Sequence, residues 1–178
     1  MQLLELWMRV FFCFVTSILI LISFQYPLHA ASISDNINVG KTKLEKEDYN
    51  AAIKQFTEVL ELDPSNSVAF NLRGVAKAKR GDFQGSIQDY NQSLKIDSIN
   101  VETLNNRGIA KARTGNIDDA IQDFDRAIQI DENNAIAFFN HGISMDMTGN
   151  LETACSDWVN AKELGDVRAN KYITQNCQ

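Results

Sequence analysis

The sequence is poor in several residue types on which common functional sites depend. Its 178 residues include only 3 cysteines, 2 histidines and 2 prolines. No group of Cys, His and acidic residues has the spacing of a metal site, and no glycine-rich phosphate loop is present. We therefore expect no cofactor, no bound metal and no enzymatic activity.

Basic charge is also scarce. The chain has 17 Lys and Arg against 23 Asp and Glu, which gives a formal net charge of -6 at pH 7. General binding of nucleic acid depends on neutralising phosphates with many basic side chains. Nucleic acid is therefore not an expected partner, whereas a hydrophobic content of 44% is typical of a globular protein with a core.

Charge is absent between Arg9 and Asp35, and the run over residues 10–24 is strongly apolar. A membrane-spanning helix needs about 20 such residues, so this run suits the core of a secretory signal better. The small residues that follow predict cleavage after Ala30, which makes residues 1–30 a signal peptide and the rest extracytoplasmic (periplasmic, lumenal or secreted). An uncleaved anchor through residues 10–24 remains open because the basic charge before the run is weak.

Removal of such a signal would leave two cysteines, Cys155 and Cys177. An even count in an oxidising compartment favours a disulfide. The two residues lie at nearly equal distances from Gly165, so two antiparallel helices joined there would bring them together. Two other interpretations stay open: Cys155 as a small buried hydrophobe, and the pair as a thiol-redox site.

An internal repeat organises the rest of the chain. Glycines recur every 34 residues in two series, and the series lie seven residues apart: Gly40, Gly74, Gly108 and Gly142, then Gly81, Gly115 and Gly149. Residues able to cap helices recur with them: Asp48, Asp82, Asn116 and Asn150, and also Asn66, Asn100 and Asn134. One aromatic column recurs as well and is predicted to be core: Phe56, Tyr90, Phe124 and Trp158. The period indicates a repeat protein built from helix pairs.

These columns, with small residues such as Ala120 and Ala127 and the segment LDPSN at 62–66, resemble the tetratricopeptide repeat family. The resemblance implies an all-α fold, an α-solenoid of four helix pairs (33–66, 67–100, 101–134 and 135–168) closed by a C-terminal capping helix at 169–178. It also implies a concave groove that is lined by the first helix of each pair and binds peptides. The first unit departs from the pattern, since Glu47 stands where the other units have their second glycine.

Another pair of columns predicts ion pairs inside the second and third units. The position before the first glycine is Val39, Arg73, Arg107 and His141, and sixteen residues later stand Gln55, Asp89, Asp123 and Asp157. Basic residues accompany acidic ones, and Val accompanies Gln. In an antiparallel pair these positions lie level with each other, so we expect Arg73 to bind Asp89 and Arg107 to bind Asp123.

Recurrent polar and apolar residues of the first helices are candidates for contact with a peptide. Asn side chains can bond a peptide backbone, apolar ones supply contact, and Lys111 with Arg113 belongs to a basic ridge suited to an acidic peptide; solvated, non-functional positions are the alternative. The predicted groove residues are Asn71, Val75, Asn105, Asn106, Ile109, Lys111, Arg113, Phe139, Asn140 and Ile143. The sequence thus predicts an exported protein-protein interaction module with an adaptor or assembly-factor role. The alternatives are a membrane-anchored scaffold and, less favoured, a thiol-redox protein using Cys155 and Cys177.

Overall fold

A computed structural model describes residues 32–177 of the chain, and the predicted signal peptide, its cleavage site and the alternative anchor lie outside this range. The described residues form helices and no strands. The first helix, α1, covers residues 32–45 of the described part. The others are α2 (Tyr49–Leu62), α3 (Ser67–Lys79), α4 (Phe83–Ile96), α5 (Val101–Arg113), α6 (Ile117–Ile130), α7 (Ala135–Met147), α8 (Leu151–Glu163) and α9 (Ala169–Asn176).

The helices follow one another through short turns, and from α2 to α9 each packs on the next. Short connections make neighbouring helices antiparallel. In addition α3 touches α5 and α5 touches α7, so the first helices of successive pairs form one continuous surface. The prediction of an all-α solenoid is confirmed, and we call this surface the first-helix face.

Each pair is held together by a glycine on its first helix and an aromatic ring on its second. A Cβ placed on Gly108 would lie 2.6 Å from Cε1 of Phe124, and Gly40, Gly74 and Gly142 stand equally close to the rings of their own units. The rings are fully buried: Phe56, Tyr90, Phe124 and Trp158. The glycine column is therefore required for close approach of the two helices, and the aromatic column is core, as the sequence predicted.

The turns inside the pairs need a left-handed backbone. Gly81, Gly115 and Gly149 have φ values of 93°, 84° and 84°. Glu47 takes the same place in the first unit with φ of 59°, a conformation that is unfavourable for a residue with a Cβ. The departure noticed in the sequence is therefore accommodated as local backbone strain.

Most predicted helix caps are formed. A side-chain oxygen accepts a hydrogen bond from the backbone N–H three residues later at Asp48, Asn66, Asp82, Asn100, Asn134 and Asn150. Asn116 is the exception: it occupies the cap position of α6 but makes no capping bond, and its Nδ2 donates instead to Thr114 Oγ1 at 3.0 Å. The carboxylates of Asp118 and Asp119 in the first turn offset the positive end of that helix.

The C-terminal helix α9 covers the open end of the stack. Ala169 is fully buried, and the ring of Tyr172 lies 5.0 Å from that of Trp158. Cys155 on α8 and Cys177 at the end of α9 are joined by a disulfide, with their Cα atoms 5.7 Å apart. The pairing expected from the sequence is thus present, and Cys155 also packs against the apolar cluster under the cap.

Candidate functional site

The ion pairs predicted inside the repeats are present and bidentate. Arg73 donates to both carboxylate oxygens of Asp89, at 2.9 and 2.7 Å. Arg107 does the same to Asp123, at 2.9 and 2.6 Å. Both carboxylates are buried, so each Arg satisfies a charge that water does not reach.

The lysine column joins these pairs, which the sequence did not reveal. Lys77 Nζ lies 2.7 Å from Asp89 Oδ2, and Lys111 Nζ lies 2.9 Å from Asp123 Oδ2. The side chain of Lys111 is only 16% exposed. Lys111 therefore belongs to an internal charged cluster with Arg107 and Asp123. The prediction that it contacts a ligand in the groove is wrong.

His141 replaces Arg in the fourth unit and lies between two carboxylates. Its Nδ1 is 2.6 Å from Asp157 Oδ2 and its Nε2 is 3.2 Å from Asp125 Oδ1 on α6. Burial of the imidazole disfavours its charged form, but the hydrogen bond and charge of Asp157, helped by Asp125, outweigh burial and raise the pKa of His141. His141 therefore links the third and fourth units through charge.

This link predicts a pH-dependent stability. A raised pKa in the folded protein adds stability that is complete below the unfolded value of 6.5 and declines as pH rises through the folded pKa. We expect His141→Arg, which restores the residue of the other units, to remove this decline. Urea unfolding followed by circular dichroism at pH 6 and pH 8.5 measures it; an equal decline in both proteins would contradict the assignment to His141.

The asparagines of the first-helix face bond mainly to one another. Asn106 Nδ2 donates to Asn71 Oδ1 at 3.3 Å, and Asn105 Nδ2 donates to Asn134 Oδ1 at 3.1 Å. Asn71 also donates to Glu102 Oε1 at 3.2 Å. Asn71 and Asn105 are buried, so they join neighbouring repeats rather than standing open to a peptide.

Two buried amide atoms at the contact between α5 and α7, which we call the α5–α7 joint, lack hydrogen-bond partners in the described chain. They are an acceptor, Asn105 Oδ1, and a donor, Asn140 Nδ2. Asn105 and Asn140 stand 34 residues after Asn71 and Asn106, and these two atoms correspond to the bonded atoms of that earlier pair. The joint between α5 and α7 thus has the same groups as the joint between α3 and α5, without the closing hydrogen bond.

A pocket of about 410 Å³ opens at this joint. Its lining is Ile109, Ala112, Arg113, Phe124, Asn140, Ile143, Ser144 and Met147. Four predicted groove residues are thereby brought together: Ile109, Arg113, Asn140 and Ile143. Ala112, Ser144 and Met147 were not among the groove residues predicted from the sequence. Their repeat positions lie on the same helix face as the predicted ones and could have indicated them. Val75 lies on α3, partly buried and outside this pocket.

Residues of the C-terminal cap cover Phe139, which was predicted to line the groove. Its ring makes an edge-to-face contact with Tyr172, with centroids 5.4 Å apart. The guanidinium carbon of Arg168 lies 4.2 Å from the Phe139 centroid. A peptide would therefore reach Phe139 only if α9 moved, and the accessible part of the face ends at α7.

Within residues 32–177, no three or more His, Cys, Asp and Glu side chains are grouped so as to hold a metal ion. None of the helices in that range combines the length and apolar character of a membrane span.

Comparison with known proteins identifies the repeat. Profiles described as "Tetratricopeptide repeat" match residues 40–99 and 101–134, together more than half of the chain. No curated protein sequence matches.

Several solved structures share the fold. MamA is 20% identical with a TM-score of 0.70, and the match covers 78% of this chain and 81% of MamA. YrrB, described as a protein with an unusual peptide-binding site, is 20% identical with a TM-score of 0.71, over 82% of this chain and 76% of YrrB. The first repeat domain of Spaghetti (RPAP3), bound to the HSP90 peptide SRMEEVD, is 19% identical with a TM-score of 0.65, over 67% and 94%.

At these identities the solved structures establish the fold alone, whereas the sequence profiles establish the family. The 34-residue period, the glycine-aromatic packing inside each pair and the matched profiles lead to one conclusion. The chain belongs to the tetratricopeptide repeat family.

Proposed function

We propose that this protein is an exported protein-protein interaction module that binds a segment of a partner across its first-helix face, in an adaptor or assembly role. The observation that carries the proposal is the pocket of about 410 Å³ between α5 and α7, which is lined by apolar side chains together with Asn140, Ser144 and an exposed arginine. Pockets with this mixture of an apolar lining and a few polar groups are typical binding sites.

Two neighbours in fold agree with a peptide as ligand. YrrB is described by a peptide-binding site, and the Spaghetti (RPAP3) domain holds an HSP90 peptide. In this protein the binding face would end at α7, because the cap covers Phe139.

Export is supported by the uncharged apolar run at 10–24 and by the disulfide between Cys155 and Cys177, since disulfides persist in oxidising compartments. A membrane-anchored scaffold is the second form of the proposal, and the amino-terminal residue of the purified protein distinguishes the two. We assign no catalytic role and no affinity for nucleic acid.

Site-specific photocrosslinking tests the binding face. A photoreactive amino acid at Met147, which is 59% exposed in the pocket, should capture a partner in extracts of the compartment that holds the protein. The matched control places it at Gln122, which is exposed on the second helix α6. Equal capture at both positions, or capture at Gln122 alone, would contradict binding on the first-helix face.

A further inference from the structure

We infer that the pocket between α5 and α7 takes one bulky apolar side chain of an extended peptide, and that Arg113 pairs with an acidic side chain beside it. This inference rests on the proposed function and adds to it the class of peptide. Three features of the joint support it. They are the side chains that line the pocket, the different residues at the joint between α3 and α5, and the absence of an ion-pair partner for Arg113 among the described residues.

The walls of the pocket carry apolar side chains from both helices. Ile109 and Ala112 belong to α5, Ile143 and Met147 belong to α7, and the ring of the buried Phe124 lies beneath them. The hydroxyl of Ser144 is already engaged, because it donates to the backbone carbonyl of Asn140 at 3.0 Å. These apolar groups suit a hydrophobic side chain, and the polar Asn140 lies beside them with its Nδ2 buried and unpaired in the described chain.

The preceding joint, between α3 and α5, lacks this character. Met147 stands where α5 has Arg113 and α3 has Lys79. The earlier joint is therefore bordered by two cations, whereas the joint between α5 and α7 is bordered by one cation and a thioether. Methionine adapts its shape to the group that it contacts, and this one is exposed. The apolar specificity is thus expected at α5–α7 and not at α3–α5.

Arg113 is the cation of α5 that remains available. Arg107 and Lys111 on the same helix both bind Asp123. Arg113 is exposed and makes no ion pair with any residue in 32–177. Asp146 on α7 has the repeat position of Ala112, so its register turns it toward α9 rather than toward this pocket. An acidic side chain of the peptide would therefore meet an uncompensated positive charge.

Three labelled heptapeptides test this ligand class with the full exported protein. The probe Ser-Glu-Ser-Phe-Ser-Glu-Ser places an acid on both sides of Phe, so its chain direction does not matter. In one comparison peptide Phe is replaced by Ser, and in the other both Glu are replaced by Gln. We expect the probe to bind about tenfold more tightly than the first and about threefold more tightly than the second, by fluorescence anisotropy at low salt.

Variants separate the two contacts. Ala112→Leu should fill the pocket and abolish the advantage of Phe over Ser, whereas Ala78→Leu, the same repeat position on α3, should not. Arg113→Gln should abolish the advantage of Glu over Gln and leave that of Phe, and Lys79→Gln should change neither. Helical content by circular dichroism verifies folding of each variant.

Equal affinity for the Phe and Ser peptides, or a stronger effect of Ala78→Leu than of Ala112→Leu, overturns the pocket. Persistence of the Glu advantage in Arg113→Gln overturns the charge contact. If Met147 crosslinks a partner but the probe does not bind, or the crosslinked segment lacks an acid beside a bulky apolar residue, this ligand class is wrong while the proposed function stands. If Met147 crosslinks no partner and the probe peptide does not bind, both the ligand class and the proposed function are wrong.

Discussion

Asp123→Asn is expected to lower the free energy of unfolding by about 3–5 kcal/mol, as found when one partner of a buried ion pair is removed. Asp123 receives two hydrogen bonds from Arg107 and a third contact from Lys111. The carboxylate side chain is 5% exposed, and the two cations are 17% and 16% exposed. A neutral amide would leave both cations without a countercharge in a site that water barely reaches. Urea unfolding followed by circular dichroism measures the loss.

The first unit of the same chain supplies a rescue for this variant. There Val39 and Gln55 replace the Arg and Asp of the other units, and Lys43 occupies the lysine position. The double variant Arg107→Val with Asp123→Gln copies that arrangement, and we expect it to regain a large part of the stability.

Asp119→Asn, which alters an exposed carboxylate in the first turn of the same helix, is the matched control and should cost less than about 1 kcal/mol, the range of a charge at a helix end. A loss below about 1 kcal/mol for Asp123→Asn, the range of surface ion pairs, would show that the cluster is solvated and contradict this account.

Removal of the disulfide is expected to cost about 3 kcal/mol, with the effect concentrated at the C-terminal end. The bond joins residues 22 positions apart and holds α9, which has 8 residues. A helix this short is not stable alone in water, so it depends on the disulfide and on packing at Ala169 and Tyr172. In the Cys155→Ala, Cys177→Ala variant, backbone amides of α9 should exchange hydrogen faster, and the near-ultraviolet signal of Trp158 should weaken.

Reduction provides the control for that experiment. A dithiol reductant should reproduce the change in the parent protein and have no effect on the double variant, because the variant has no bond to reduce. Amides of α3 and α4, remote from the cap, should exchange at unchanged rates, since each repeat contacts only its neighbours. Equal protection of α9 in oxidised and reduced protein would show that packing alone holds the cap.

The organisation of the fold was open to sequence analysis because the chain contains several copies of its own pattern. Comparison of Val39 and Gln55 with Arg107 and Asp123 revealed a contact across two helices without any structure. The glycine turns and the aromatic core follow from the same register. Asn116 shows the limit, since the cap position was identified correctly but its side chain bonds Thr114 instead.

The candidate site was predicted less well, for a physical reason that particular residues show. Lys111 stands in a groove-facing helix, yet its long side chain reaches Asp123 on the paired helix. Asn71 and Asn105 bond to neighbouring repeats, and Phe139 lies beneath Arg168 and Tyr172. These contacts depend on side-chain rotamers and on the rotation of one helix pair relative to the next. A comparison of equivalent repeat positions gives no information about either.

The sequence by itself therefore determined the helix pairs, their turns and the Arg-Asp pairs of the second and third units, because these depend on local chain geometry that recurs every 34 residues. Only the tertiary structure decided which side chains remain available on the first-helix face. Contacts between repeats and with the cap engage Asn71, Asn105 and Phe139, and the pocket beside Arg113 stays open because Ala112 is small and Met147 extends toward solvent. Accessibility is a property of the packed surface, so it was settled by neighbours distant in sequence.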